Sequence, residues 1–293
     1  YLAAISAFIL WGFFSFGLKP LHNYPSLDIL FYRVFLCVIL MLCINLLFRR
    51  AVVRESVHIF IKMLPVERKR FMALTAGSAL LLTANWFFFI YVMNHISVKA
   101  ASLAYLVCPI ITTVFAYFIL KEVLTKIQWT AVVLSVISCV LLSLNHFIDI
   151  FYSLIIAATY AMYLIIQKKI VAIDRFLLLT IQLIITAVIL LPFYPVFSSV
   201  VPIAASFYWH ILIIAVAFTI IPLFLNLYAL KQINSSTVGI LLYINPLITF
   251  LLAIFYYKES ITTLQVAAYS LILVSIVIFN AGNFFKAIKA KSK

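Results

Sequence analysis

Apolar stretches of about the length that a helix needs to cross a hydrocarbon core, roughly 20 residues, recur from one end of this chain to the other. The segments 2–18, 28–48, 71–90, 98–120, 127–145, 148–167, 176–195, 207–229, 236–257 and 264–283 read as ten spans joined by short connections. Runs such as Ser135 to Leu144 and Ile211 to Ile221 are apolar throughout rather than alternating, so helices are expected, not the strands of a barrel. Hydrophobic residues form 67% of the 293 and charged residues 10%. That excess is more than a water-soluble core could absorb, because a folded sphere must show water a polar skin. The expected fold class is an all-α polytopic membrane protein.

Charge placement sets the topology. Formal net charge is +14, from 21 Lys and Arg against 7 Asp and Glu. With the N-terminus inside, 17 of the basic residues fall in inside segments, three (Lys19, Lys99, Lys258) fall outside, and Arg33 lies within a span. This is the asymmetry of the positive-inside rule. It accounts for the basic excess without nucleic acid, and it places both termini in the cytoplasm. The longest connection, 49–70, is amphipathic and suits the membrane surface. The chain opens on Tyr1 without a secretory cleavage pattern, which suggests that its native start lies upstream.

Residues 109–140 align with 246–277 without a gap, with 13 identities in 32 positions. Pro109 meets Pro246, Lys121-Glu122 meets Lys258-Glu259, Thr125 meets Thr262 and Gln128 meets Gln265. Apolar bias explains matched Leu or Val, but not these. The chain therefore divides into 1–146 and 147–293, each with five spans. An odd number of crossings turns the second half upside down relative to the first, the inverted-repeat plan of secondary transporters.

Polar groups within hydrocarbon are costly and commonly functional. Arg33 is read as an anchor for a substrate carboxylate or phosphate, against snorkelling or pairing with Asp28. Tyr105 and Pro109 share a face of one helix, Tyr243 and Pro246 a comparable face in the other half, and these are read as two facing cavity walls or as structural kinks. Asn85 and Asn226 could meet substrate or bond helix to helix. Trp11 and Trp86 could stack on a substrate ring or fill space. Glu122 and Glu259 close their helices at opposite surfaces, as gate or proton-coupling carboxylates or as interfacial ion pairs. The four cysteines and five histidines have no metal-ligand spacing, so neither a metal nor any other cofactor is expected. The five dispersed glycines form no phosphate-binding loop.

Trp11-Gly12, Lys19-Pro20, Tyr32-Arg33, Asn85-Trp86, Ser102-Leu103-Ala104-Tyr105 and Pro109 in the first half resemble the RarD branch of the drug/metabolite transporter superfamily. So do Thr219, Pro222-Leu223, Asn226, Ser236-Thr237, Gly239, Tyr243, Pro246 and Glu259 in the second. This branch lies beside the EamA transporters. The resemblance implies ten helices in two inverted repeats, a bacterial inner membrane, a central cavity, and export of small metabolites or drug-like compounds by alternating access. Amino-acid-like or aromatic solutes, protons as coupling ion, and a monomer or homodimer fit it. The alternatives are an intramembrane lipid-modifying enzyme, disfavoured by seven scattered acids, and a channel.

Overall fold

The structure of the protein, a computed structural model, describes the backbone of residues 1–95, 98–142, 147–170, 173–199, 201–256, 258 and 262–291. Side chains are described for all of these except 93–95, 98–103, 147–150, 253 and 282–291. The described residues of the segments read as spans are almost all helical, and no strand occurs among the described residues. The helices are α1 (Leu2–Gly12), α2 (Phe14–Leu18), α3 (Ser26–Phe48), α4 (Arg50–Lys62), α5 (Pro65–His95), α6 (Val98–Leu120), α7 (Lys126–Leu142) and α8 (Phe147–Lys169). They continue as α9 (Arg175–Leu190), α10 (Tyr194–Phe197), α11 (Ala205–Ala215), α12 (Ile221–Gln232), α13 (Ser235–Leu241), α14 (Ile244–Phe255) and α15 (Thr263–Lys291).

Seven of the described helical stretches are long and apolar enough to cross a membrane, or eight if α1 and the stretch Phe14–Leu21, bent by 42°, count as one. Two shorter apolar helices, Ala104–Leu120 and Lys126–Leu142, stand beside them. Side chains such as Phe118, Val133, Val140, Leu273 and Val277 are exposed, as lipid-facing positions must be, since hydrocarbon is as good a solvent for them as a protein interior. Helix α4 carries exposed Val57, Ile59 and Ile61 between charged residues, the pattern of a helix lying in the interface.

Polar side chains tie the helices together. Gln167 donates to Gln182 and Gln182 to Ser78, each at 2.8 Å, joining α8, α9 and α5. Asn45 donates to Thr180 at 2.8 Å, joining α3 to α9, and Ser135 bonds Ser275 at 3.0 Å, joining α7 to α15. Close crossings depend on small residues. A Cβ on Gly12 would lie 2.6 Å from Cβ of Ile248 on α14, and one on Gly239 would lie 2.9 Å from Cβ of Thr112 on α6. Three of the four cysteines are buried, but Cys43 is exposed.

The ends of α6 and α14 are followed by similar features. Lys121 and Lys258 both adopt left-handed backbone, with φ of 57° and 55°. After Lys121, the Glu122 N–H bonds Ala116 O at 3.2 Å across the end of α6. Thr125 and Gln128 then form a reciprocal capping box, with N–H to Oε1 at 2.9 Å and N–H to Oγ1 at 3.2 Å. Thr262 and Gln265 repeat that box at 3.0 and 3.3 Å.

Candidate functional site

A cavity of about 440 Å³ lies among the helices and draws its walls from both halves of the chain. Its volume falls in the range that holds a drug-sized molecule, roughly 300–1,000 Å³. Trp11, Arg33, Asn85, Trp86, Tyr105 and Pro246 line it. Pro109, Asn226 and Tyr243 do not. The Pro109 carbonyl faces the crossing with Gly239, 3.4 Å from where a Cβ would sit, and is taken up by Thr113 Oγ1 at 2.9 Å. Asn226 is fully buried behind the wall and donates to the Tyr160 hydroxyl at 3.2 Å. Tyr243 is fully buried within the main core cluster. Leu242, Asn245, Pro246 and Thr249, spaced as one helical face, line the cavity, and Tyr243 lies to the side of that face. Between α13 and α14 the chain makes a turn at Leu242–Tyr243, and Asn245 N–H bonds Leu242 O at 3.1 Å. That bond supplies the donor Pro246 lacks.

Arg33 projects from α3 with its guanidinium carbon 4.7 Å from the centroid of the Trp86 ring. Asp28 is not its partner: that carboxylate takes the backbone N–H of Ser199 at 3.1 Å and the Ser199 hydroxyl. The buried Nε of Arg33 has no hydrogen-bond partner, nor has Oγ of Ser15, which also lines the cavity. Asn85 is committed elsewhere, donating to Ile156 O at 2.8 Å and Thr159 Oγ1 at 3.3 Å on α8.

The opposite wall was harder to foresee. It includes Tyr160, Phe218, Thr219, Asn245 and Thr249. Between α11 and α12 runs a π-helical turn, Val216–Ile220. Such a turn leaves carbonyls without regular helix donors, and Pro222, lacking an N–H, cannot serve Phe218 O. Three side chains reach carbonyls in and beside this turn. Trp11 Nε1 donates to Phe218 O at 2.9 Å, Thr219 Oγ1 to Ile214 O at 3.0 Å, and Cys37 Sγ to Ala215 O at 3.5 Å. Trp11 is thus a clamp between halves as well as a wall. The pairing of Thr219 with Pro222 was the visible signal; Tyr160, in an Ala-rich stretch, carried none.

The cavity adjoins a second recess, of about 390 Å³, with which it shares Ser15, Leu18, Ser26 and Ile29. That recess reaches Lys19, His22 and Tyr24 at the helix ends. The other end of the bundle is sealed by charge. Glu122 accepts from the backbone N–H groups of Ser235 and Ser236 at 2.8 and 3.0 Å and from the Ser236 hydroxyl at 2.6 Å, which caps α13 from the other half. Lys168 Nζ donates to Leu230 O and Ile233 O, both at 2.7 Å. Arg49 pairs with Asp174 at 2.9 Å. Asp174 also caps α9 through the N–H groups of Phe176 and Leu177. Burial would raise its pKa, but the Arg49 hydrogen bond, the Leu177 N–H, the Arg49 charge and the Phe176 N–H outweigh burial and hold it below the ordinary value. Glu259 lies outside the described residues.

The sequence matches the EamA-like transporter family over residues 1–144 and again over 147–281. The chain belongs to the EamA-like transporter family. Among relatives, an uncharacterized transporter, YojE, of Bacillus subtilis is 27% identical over 93% of this chain and 90% of its own. The protein RarD of Escherichia coli is 28% identical over 95% of this chain and 92% of its own. An uncharacterized transporter of Vibrio cholerae is 30% identical over 95% and 91%. A crystal structure superposes with a TM-score of 0.73 at 16% identity, covering 96% of each chain, which shows a shared fold. This EamA-family chain is therefore a multi-pass membrane transporter of the drug/metabolite transporter superfamily, and RarD proteins are among its relatives.

Proposed function

We propose that the protein is a secondary transporter that carries small organic solutes through the central cavity by alternating access, with 1–146 and 147–293 as inverted five-helix repeats. The observation that carries this reading is the cavity itself: both halves wall it, a recess leads from it to one end, and interhalf charge contacts close the other. Alternation needs such an asymmetry in any one state.

Helix packing supports the repeat. Helix α5 lies on α8 and α12 on α1; α6 lies on α8 and α14 on α1; α3 pairs with α9, α6 with α13, and α7 with α15. Exchanging each span for the one five places along maps these pairs onto one another. The matched left-handed backbone at Lys121 and Lys258 adds local support. With both termini cytoplasmic, the sealed end faces the cytoplasm and the recess faces outward. Export is the working direction, carried over from the family, and protons are the candidate coupling ion because the cytoplasmic seal includes a carboxylate.

Counterflow in proteoliposomes with a panel of organic solutes tests this. Saturable exchange of at least one labelled solute is expected. Steady single-channel conductance, or lipid turnover by the purified protein, would replace the transporter reading with a channel or an enzyme.

A further inference from the structure

We propose that the cavity selects an organic monoanion, seating one carboxylate on Arg33 and enclosing an aromatic body. The inference deepens the transporter reading by naming its substrate class, but rests on cavity chemistry alone. Among the described residues lining the cavity, Arg33 is the one ionisable cation, and none is Asp or Glu. A guanidinium in a largely apolar cavity, without a counter-charge beside it, is costly. Pairing with Trp86 offsets part of that cost. The unpartnered Nε leaves the guanidinium with hydrogen-bonding capacity that no protein acceptor takes up. A carboxylate matches the fork in geometry and charge.

The valence follows from the count. One guanidinium balances one negative charge, so a phosphate monoester would bring a second, unpaired charge into the same apolar space. An amino acid would bring an ammonium with three donors and no carboxylate to receive it. The remaining walls suit a ring: Trp11, Phe14, Phe89 and Phe218 present aromatic surface.

Binding of four probes of one shape tests the inference: 3-phenylpropionate, its amide, phenethylamine and phenylalanine, measured by calorimetry on purified protein in nanodiscs. The carboxylate should bind at least about 10-fold tighter than the amide or amine, and Arg33→Gln should remove that preference, as loss of charge-assisted bonds of this kind does. Asn245→Asp, which places a carboxylate in the same cavity, should weaken 3-phenylpropionate and favour phenethylamine, and guards against misfolding of the Arg33 variant. Equal binding of acid, amide and amine, tightest binding of phenylalanine, or an unchanged preference in both variants would overturn the inference. Counterflow on the same preparation separates it from the transporter reading: charge-selective binding without exchange refutes transport and leaves the anion site standing, whereas exchange without charge selectivity does the reverse.

Discussion

Glu122→Gln should loosen the closed end of the bundle. The amides of Ser235 and Ser236 stand in the first turn of α13, where no intrahelical acceptor exists. Glu122 is their acceptor, at 2.8 and 3.0 Å, and it takes the Ser236 hydroxyl as well. A hydrogen bond to a charged group contributes about 1.5–3 kcal/mol and a neutral one about 0.5–1.5 kcal/mol. Glutamine keeps one acceptor oxygen and turns its amide donors toward other donors. Glu122 is partly exposed, so solvent recovers part of the loss. A net weakening on the order of 1–2 kcal/mol remains, a factor of roughly 5–30 in the equilibrium between sealed and open. Hydrogen exchange in nanodiscs reads it directly: the Ser235 and Ser236 amides should exchange about 5–30 times faster in the variant. A cysteine replacing Thr249, in a Cys43→Ser background, should label faster from the sealed side. The proposed inverted repeat gives the effect a sign as well as a size. Glu259→Gln, its repeat mate, should shift the equilibrium the opposite way and slow that labelling. Unaltered exchange in Glu122→Gln, or shifts of the same sign in both variants, would refute the reasoning.

Three further perturbations test the packing and electrostatics. Gly12→Ala should lower the melting temperature, since its Cβ would meet Ile248 at 2.6 Å and overpacking costs about 1–3 kcal/mol; Gly77→Ala, with no atom within 4 Å, should be neutral or stabilise by about 0.5–1 kcal/mol. Trp11→Phe should destabilise by about 1–3 kcal/mol, because Phe218 O then has no donor, and Pro222→Ala, which restores a backbone N–H, should recover part of the loss in thermal unfolding of the double variant. Asp174→Asn keeps a capping oxygen but loses the ion pair with Arg49, so it should cost about 0.5–1 kcal/mol at neutral pH. Because the folded-state pKa of Asp174 is depressed, the wild-type advantage should be complete above the ordinary carboxylate range, near 4, and vanish as pH falls through the folded value; a difference in melting temperature that grows on acidification would contradict it.

The fold was legible where period and composition decide it. The all-helical architecture follows from uninterrupted apolar runs, and the capping boxes at Thr125 and Thr262 follow from Thr-x-x-Gln, because a capping box is a local structure with a local signature. The limits were set by irregularities inside spans. The bend after Gly12, the π-helical turn at Val216–Ile220 and the break at Leu242–Tyr243 each interrupt a run that is apolar throughout. Hydropathy cannot register them, because a carbonyl freed by a bulge leaves no mark on side-chain polarity.

Helical spacing accounts for which of the expected residues line the cavity. Arg33, Trp86 and Tyr105 lie on regular stretches of α3, α5 and α6 and reach the inner face. In the second half the lining face runs through Leu242, Asn245, Pro246 and Thr249, and Tyr243 falls beside it. The break and the bulge both fall in the second half, on the spans carrying Thr219, Asn245 and Pro246. Regular helix cannot turn its backbone polar groups toward a ligand or change direction without losing hydrogen bonds, and in hydrocarbon those losses must be recovered within the protein. Trp11 of the first half recovers one at Phe218 of the second. The cavity wall and the contact between halves are therefore one structure, and opening or closing one end must work through the elements that shape the site.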